Sequence, residues 1–235
     1  MSRILLIHGA CHGAWCWRDV VPLLERQGHE VIALDMPGRA GDTRDPGALT
    51  LADQAQTILD AAGDGAVLVG HSAGGFSISA AAEAAPDKAQ HLIYVAALLP
   101  QTGDTLVGKM GALSQTGERA RFNRALDGKG YAFDPSAAPL LYNGVSEADA
   151  EWALTQICPE PSAPHREAIR VGDNFGSVRK SYIRCTEDRV IPSTDQERMA
   201  HEGAAALFDI ETGHSPFLSE PEALAHLIDQ IAKGA

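Results

Sequence analysis

The stretch AVLVGHSAGGFSISAAAEAA, residues 66–85, decides the fold of this chain. Four apolar residues of strand type run into GHSAGG at 70–75, and a helix-like run of small residues follows. A strand, a sharp G-x-S-x-G turn and a helix together form a nucleophile elbow, which lifts the serine hydroxyl above the edge of a sheet. Ser72 is therefore the candidate nucleophile. The backbone N–H of Ala73, where the helix begins, is a candidate donor to a developing oxyanion.

Short apolar runs of strand length repeat on both sides of this stretch. Most are rich in Val, Ile and Leu, and amphipathic segments separate the first four. This alternation predicts a doubly wound, mostly parallel sheet with helices on both faces, an α/β fold. The six predicted strands cover residues 3–7, 30–34, 66–70, 91–96, 178–185 and 205–210.

The alternation lapses between residues 101 and 176, where Gly and Pro mix with scattered aromatic residues. A structureless loop of that length is unusual in a compact domain. We therefore predict a mostly helical cap, or lid, over 101–176, with its clearest helix at 147–158. Residues 1–100 and 177–235 then form the core domain. The alternative is a packing subdomain that does not touch substrate.

A serine nucleophile needs a base and an acid that orients the base. His214, in TGHSPF, follows the last predicted strand, and Asp188, in CTEDRVIP, lies just beyond the fifth. The chain order Ser72, Asp188, His214 is that of the α/β-hydrolase triad. These three residues are the predicted catalytic set.

Other polar residues near these motifs are rival candidates. Glu187 adjoins Asp188, and Asp209 is close to His214 in sequence but falls within a predicted strand. His71 precedes the nucleophile, and because adjacent side chains diverge at a tight turn we interpret it as a support residue. We interpret three further acidic residues as solvated surface charges: Asp195, Glu197 and Glu211.

The loop HGACHGAWCW, residues 8–17, follows the first predicted strand. It permits two interpretations, a metal site or a loop that positions backbone groups. Gly9 allows the main chain to approach a reacting carbonyl, and the N–H of Ala10 is then a second oxyanion donor. Four ligands on one short loop converge tetrahedrally only with difficulty, so we expect no metal. The four residues of the metal alternative are His8, Cys11, His12 and Cys16.

A doubly wound sheet also suggests nucleotide binding, with Asp35 at the end of the second strand as the acid that binds ribose. The first loop, GACHGA, lacks the glycine pair of the G-x-G-x-x-G fingerprint. We therefore interpret Asp35 as a cap of the loop MPGRAGD at 36–42 and expect no cofactor.

Composition limits the partners. The chain has 235 residues and a net charge of −12, without a basic cluster, which argues against nucleic acid. Its longest apolar run, 92–99, is far below the roughly 18 residues of a membrane span, and the N-terminus lacks the apolar region of a signal peptide. We expect a cytoplasmic protein that does not bind membranes and whose four cysteines are reduced.

These motifs resemble an α/β-hydrolase subfamily that contains plant methyl-ester esterases, such as the salicylate-binding methylesterases, plant hydroxynitrile lyases and bacterial esterases of similar length. The resemblance rests on HGACHGAWCW, GHSAGG, CTEDRVIP and the late GHS, and extends to SEADAEWAL and CPEPSAP in the cap. It implies an α/β-hydrolase fold with a helical cap inserted after the fourth strand. By resemblance, Ser72, Asp188 and His214 are the triad and Ala10 and Ala73 are the oxyanion donors. A homodimer is implied by the resemblance alone.

The expected function is hydrolysis of small carboxylic esters through an acyl-enzyme. A lyase and a ligand receptor with slow turnover are the alternatives. In the plant lyases a lysine follows the catalytic histidine and a threonine follows the first-loop histidine, whereas this chain has Ser215 and Gly9 there. A cation from the cap, in place of that lysine, would still allow lyase activity. The candidates are Lys109, Arg119, Arg121, Arg124 and Lys129.

Overall fold

The computed structural model describes residues 1–39, 41–114 and 120–234. Its strands, in chain order, are β1 (Arg3–Ile7), β2 (Glu30–Leu34), β3 (Ala66–His71), β4 (Ala89–Val95), β5 (Phe122–Ala125), β6 (Gly130–Phe133), β7 (Glu160–Pro161), β8 (Lys180–Cys185) and β9 (Ala206–Ile210). Its α-helices are α1 (Val20–Arg26), α2 (Leu51–Ala61), α3 (Gly74–Ala84), α4 (Leu106–Gly111), α5 (Ala138–Leu141), α6 (Glu147–Gln156), α7 (Ala163–Arg166), α8 (Asp173–Ser177), α9 (Ser193–Glu202), α10 (Pro216–Ser219) and α11 (Pro221–Lys233).

The main sheet has six strands in the order β2-β1-β3-β4-β8-β9, and every pair is parallel. Each predicted strand is present, with bounds that differ by at most two residues. The predicted α/β-hydrolase fold is confirmed.

Both faces of this sheet are covered, which explains the continuous apolar strands. Successive side chains of a strand point to opposite faces. Leu5 and Ile7 of β1 accordingly pack in one core cluster, and Ile4 and Leu6 pack in the other. No helix among the described residues is both long and apolar enough to cross a bilayer.

The segment between β4 and β8 contains the helices α4 to α8 and also three short strands that the sequence did not predict. The helix α6 lies where it was predicted, but β5, β6 and β7 form a small antiparallel sheet. These strands have four residues or fewer and no regular apolar alternation, so their sequence carries little strand signal. Gly130 allows β6 to approach β7, because a Cβ there would lie 2.3 Å from the carbonyl oxygen of Glu160.

Candidate active site

The turn after β3 holds Ser72 in a strained conformation. Its φ is 52°, in the left-handed region that residues with a Cβ rarely adopt. The glycines that follow allow the surrounding chain to approach. A Cβ on Gly74 would lie 2.8 Å from the carbonyl oxygen of His8, and one on Gly75 would lie 2.3 Å from that of Leu98. The elbow therefore needs glycine at both positions.

The structure brings together the three residues of the predicted triad. The Nε2 atom of His214 lies 3.2 Å from the Oγ of Ser72, and its Nδ1 lies 2.8 Å from Oδ2 of Asp188. A carboxylate only accepts, so His214 Nδ1 carries the proton and Nε2 is left to accept from the serine. His214 and Asp188 are both buried.

Asp188 is fixed by further donors. Its Oδ1 accepts the N–H groups of Val190 (2.7 Å) and Ile191 (3.0 Å), and its Oδ2 accepts from Nε2 of Gln196 at 3.0 Å. These bonds hold the carboxylate in the orientation that the imidazole requires. Gln196 had no recognisable signal in the sequence, because its partners come together only in the fold.

The rival acids lie elsewhere. Asp209 forms two hydrogen bonds with the guanidinium of Arg184, at 2.8 and 2.7 Å, and Glu187 is exposed. Asp195 is not a solvated surface charge as we predicted. It is buried, accepts the N–H of Ser114 at 2.8 Å and pairs with Arg198. The helix α9 turns it inward, which single-residue polarity does not reveal. Glu197 and Glu211 are exposed.

His71 contacts His214, the predicted base. Its Nε2–H donates to the carbonyl oxygen of His214 at 2.8 Å, and the two rings lie 4.8 Å apart. Burial, together with the nearby His214, holds the pKa of His71 well below its usual value. The ring is therefore neutral at pH 7.

The histidines of the first loop bind the loop's own main chain. His8 Nδ1–H donates to the carbonyl of Gly9 at 2.8 Å, and His12 Nδ1–H donates to that of Ala10 at 2.9 Å. The remaining nitrogen of His8 accepts the N–H of Met36 at 3.0 Å. Burial lowers the pKa of His12 to about 4. Both rings thus support the loop as neutral groups.

The geometry of the first loop does not match a metal site. Cys16 lies in a short 3-10 helix, Ala14–Trp17, with its side chain buried. The four cysteines are free thiols. Among the described residues, no three or more His, Cys, Asp or Glu side chains are grouped as metal ligands would be.

Asp35 caps a different loop from the one we predicted. Its Oδ1 accepts the N–H of Ala14 at 2.7 Å, which holds the end of the first loop. In the MPGRAGD loop it is Asp42 that accepts the N–H of Gly38, at 2.8 Å. The correction follows from sheet order, since β1 and β2 are neighbours and their carboxyl ends adjoin.

The two alanines predicted to supply oxyanion donors lie beside Ser72. Ala10 and Ala73 line the same cavity as Ser72 and His214. Within the described part of the chain, neither alanine N–H has a hydrogen-bond partner. Two unpaired donors beside a serine hydroxyl can stabilise a tetrahedral anion.

The cavity above these groups has a volume of about 330 Å³ and is mainly apolar. Core and cap both contribute to its wall, so the cap does reach the reaction site. Its apolar lining includes Leu98 and Val190 from the core and Leu106, Val107, Met110, Leu113, Phe122, Tyr131 and Phe133 from the cap.

Among the described residues, the basic side chain that lines this cavity is that of Arg189, which directly follows Asp188 in the sequence. The cap cations that we considered are placed differently. Lys109 pairs with Asp104 and Lys129 with Asp45. Arg121 and Arg124 are exposed and are not among the residues that line the cavity. Arg119 lies outside the described residues.

Comparison with known proteins gives close relatives along the whole chain. Residues 4–227 match the model of the alpha/beta hydrolase family. The chain is 34% identical to methylesterase 2 of Arabidopsis thaliana, over 97% of this chain and 95% of that protein. It is 31% identical to salicylic acid-binding protein 2 of Nicotiana tabacum, over 98% and 97% respectively. The solved structure of a pyrethroid hydrolase from Sphingobium faniae JZ-2 matches with a TM-score of 0.84 at 28% identity, covering 99% of this chain and 97% of that chain.

Proposed function

Because this chain belongs to the alpha/beta hydrolase family and its relatives are esterases, it is a carboxylic ester hydrolase, and we propose that it acts through a Ser72–His214–Asp188 triad. The observation that carries the proposal is the unbroken set of contacts from Asp188 through His214 to the Ser72 hydroxyl. The N–H groups of Ala10 and Ala73, which have no partner among residues 1–39, 41–114 and 120–234, border the same cavity.

In the first half of the reaction, the Ser72 oxygen attacks the ester carbonyl while His214 Nε2 takes the hydroxyl proton. Asp188 stabilises the imidazolium, and the Ala10 and Ala73 N–H groups donate to the tetrahedral oxyanion. The C–O bond to the alcohol then breaks, and His214 returns its proton to the leaving oxygen. An acyl-serine remains.

In the second half, water takes the place of the alcohol. His214 removes a proton from the water as its oxygen attacks the acyl carbon, and the second tetrahedral anion uses the same two donors. Collapse releases the carboxylic acid and restores the serine hydroxyl. The cycle needs no cofactor.

The cavity indicates the substrate class. About 330 Å³ is near the lower end for ligand pockets, and its lining is mainly apolar. We infer a small ester with an apolar acyl or alcohol part. The name of methylesterase 2 makes methyl esters of aromatic or aliphatic acids the first substrates to test.

Turnover of 4-nitrophenyl acetate by the purified protein tests this proposal. We expect Ser72→Ala to lose activity by roughly a million-fold in kcat, as other hydrolases do without their nucleophile. The exposed Ser177→Ala is the matched control and retains full activity. Wild-type turnover no faster than that of the Ser72→Ala variant or of buffer alone would contradict the proposal. The protein would then be a binding protein and not an enzyme.

A lyase is the second candidate, because Arg189 places one cation beside the triad. The residue after the catalytic histidine offers no such charge. Ser215 is buried and donates its hydroxyl to the carbonyl of Leu141 at 2.7 Å. Among the described residues, the cation available to a leaving cyanide is Arg189, and its side chain is exposed. Contact with water weakens its stabilisation of an anion.

A further inference from the structure

Beside the proposed oxyanion donor Ala10 lies a residue with unusual backbone geometry. Cys11 has a φ of 59°, in the left-handed region. Its N–H donates to Oε2 of Glu160 at 2.8 Å, and its carbonyl accepts the N–H of Cys158 at 3.0 Å. Both partners belong to the cap. The main chain next to the donor is thus held from outside its own loop.

A second side chain holds the next peptide. The Nε–H of Arg39 donates to the carbonyl of His12 at 2.6 Å, and its terminal nitrogen pairs with Oε2 of Glu160. Arg39 and Glu160 are 6% and 2% exposed at their side chains. Burial opposes the charge on Arg39, but the Glu160 carboxylate more than offsets this and raises the arginine pKa. One carboxylate oxygen therefore binds both the loop and the arginine that also binds the loop.

The other oxygen of Glu160 leads toward the substrate cavity. Its Oε1 lies 3.5 Å from Nε2 of His165, and Nδ1 of that ring lies 2.7 Å from the hydroxyl of Tyr131. Tyr131 lines the cavity. Burial keeps the pKa of His165 below its usual value, so the ring is neutral. Contacts thus continue from the cavity wall to the first loop.

Stability alone is a weak explanation for the buried Arg39–Glu160 pair, since a buried ion pair adds little to stability compared with apolar packing of the same volume. Transition-state stabilisation gives a stronger one. An oxyanion donor must be held in place before the reaction, within hydrogen-bond distance of where the charge develops. A charged acceptor holds a backbone N–H more firmly than a neutral one.

We propose that Glu160 is a positioning residue for the oxyanion hole: through the Cys11 N–H, and together with Arg39, it fixes the direction of the Ala10 N–H. The cap then completes the catalytic machinery as well as covering the substrate. This inference rests on the proposed function, because it assigns a role within ester hydrolysis.

The test is Glu160→Gln, which keeps the size of the side chain and removes its charge. Values of kcat and KM for 4-nitrophenyl acetate are measured per active site, with active sites counted by a fluorophosphonate that labels Ser72. We expect kcat to fall 10- to 100-fold. This is less than the roughly 100- to 1000-fold loss when a donor is removed, because the Ala10 N–H is displaced but still present. We expect KM to change less than threefold, since the ground-state ester depends little on the donor.

Two inhibitors separate positioning from general damage. Phenylboronic acid forms a tetrahedral adduct with a serine oxygen and uses the oxyanion donors, whereas benzoate occupies the cavity without such an adduct. Affinity for the boronic acid should fall by the same factor as kcat, and affinity for benzoate should not change. The matched control is Glu167→Gln, which weakens a similar 2.8 Å bond to the N–H of Leu51 away from the site. It should leave kcat within twofold of wild type.

If Glu160→Gln does not fold, because Arg39 is left unpaired, the same measurements on the double variant Arg39→Gln, Glu160→Gln replace it. Folded protein is verified by thermal unfolding. A folded variant with kcat within twofold of wild type, or equal losses of boronic acid and benzoate binding, overturns the inference. Failure of the proposed function gives a different result. It would abolish the difference in turnover between wild type and Ser72→Ala, which failure of the Glu160 role leaves unchanged.

Discussion

Replacing Gly9 by alanine tests how closely the first loop must approach the nucleophile. A Cβ at this position would lie 2.9 Å from Nδ1 of His71 and 2.9 Å from Cβ of Ser72. Atoms of this kind prefer separations of about 3.5–4.0 Å, so relief requires a movement of roughly 0.5–1 Å. Gly9 does not lie in the left-handed region, so alanine is acceptable to its backbone. The clash alone decides the outcome.

The loop is the part that must move. The ring of His71 is buried and hydrogen-bonded to the carbonyl of His214, and Ser72 is fixed by the elbow. A shift of the loop carries the Ala10 N–H away from the oxyanion position. Loss of one donor costs about 100- to 1000-fold in kcat, so we expect about a 100-fold decrease for Gly9→Ala with KM nearly unchanged. Overpacking should also lower the free energy of unfolding by about 1–3 kcal/mol.

The assay is kcat with 4-nitrophenyl acetate per active site, combined with urea unfolding monitored by circular dichroism. Gly176→Ala is the matched control, because a Cβ there meets no atom within 4 Å. It should keep wild-type kcat and stability. Our reasoning is wrong if Gly9→Ala retains more than a third of wild-type kcat, or if the control loses as much as the test variant.

The remaining predictions concern the acid, the buried histidines, metals and the lyase. Asp188→Asn should reduce kcat by several orders of magnitude, because the amide favours the wrong imidazole tautomer, whereas Asp209→Asn should have little effect; the reverse result would reassign the acid. The pKa of His12 is about 4 in the folded protein and near 6.5 when unfolded. The unfolded chain therefore binds more protons between these values, and urea titrations should show the unfolding free energy decreasing from pH 7 to pH 4.5, by about 2 kcal/mol from this residue alone. Equal stability at the two pH values would contradict a buried neutral ring. Prolonged chelation should leave ester turnover unchanged, and one zinc per chain lost together with activity would restore the metal interpretation. Mandelonitrile should release negligible cyanide compared with ester turnover; release at a comparable rate, lost in both Ser72→Ala and Arg189→Gln, would identify a lyase.

The main sheet was predictable because its signal is local. The strand β3 is buried along its whole length, and its apolar run AVLV leads directly into a turn whose glycines leave no room for a side chain. The elbow, the chain order of Ser72, Asp188 and His214, and the loop after the first strand gave the candidate triad and donors, and the family resemblance implied the same residues. Their assembly follows from topology, since the carboxyl ends of parallel strands meet at one edge of the sheet.

What the sequence did not reveal depends on partners distant in the chain. Asp195 resembles any surface acid until α9 turns it toward Ser114, and Asp35 is paired by the adjacency of β1 and β2. The cap sheet has the same origin, because its short strands are specified by pairing across Gly130 and not by their own pattern. The cytoplasmic location, the homodimer and the absence of nucleic-acid partners stay predictions.

The cap's contact with the first loop bears on how such an enzyme can change its substrate. The same small sheet carries Tyr131 and Phe133, which line the cavity, and Glu160, which binds the Cys11 N–H. By the role proposed for Glu160, a shift of these strands would reach the Ala10 N–H, because β6 and β7 pair residue by residue. If Glu160 has the role proposed above, substitutions of cavity-lining side chains outside this sheet, such as Leu106 and Met110, should alter KM and leave kcat intact. Changes that shift β6 against β7 should lower kcat for every ester alike.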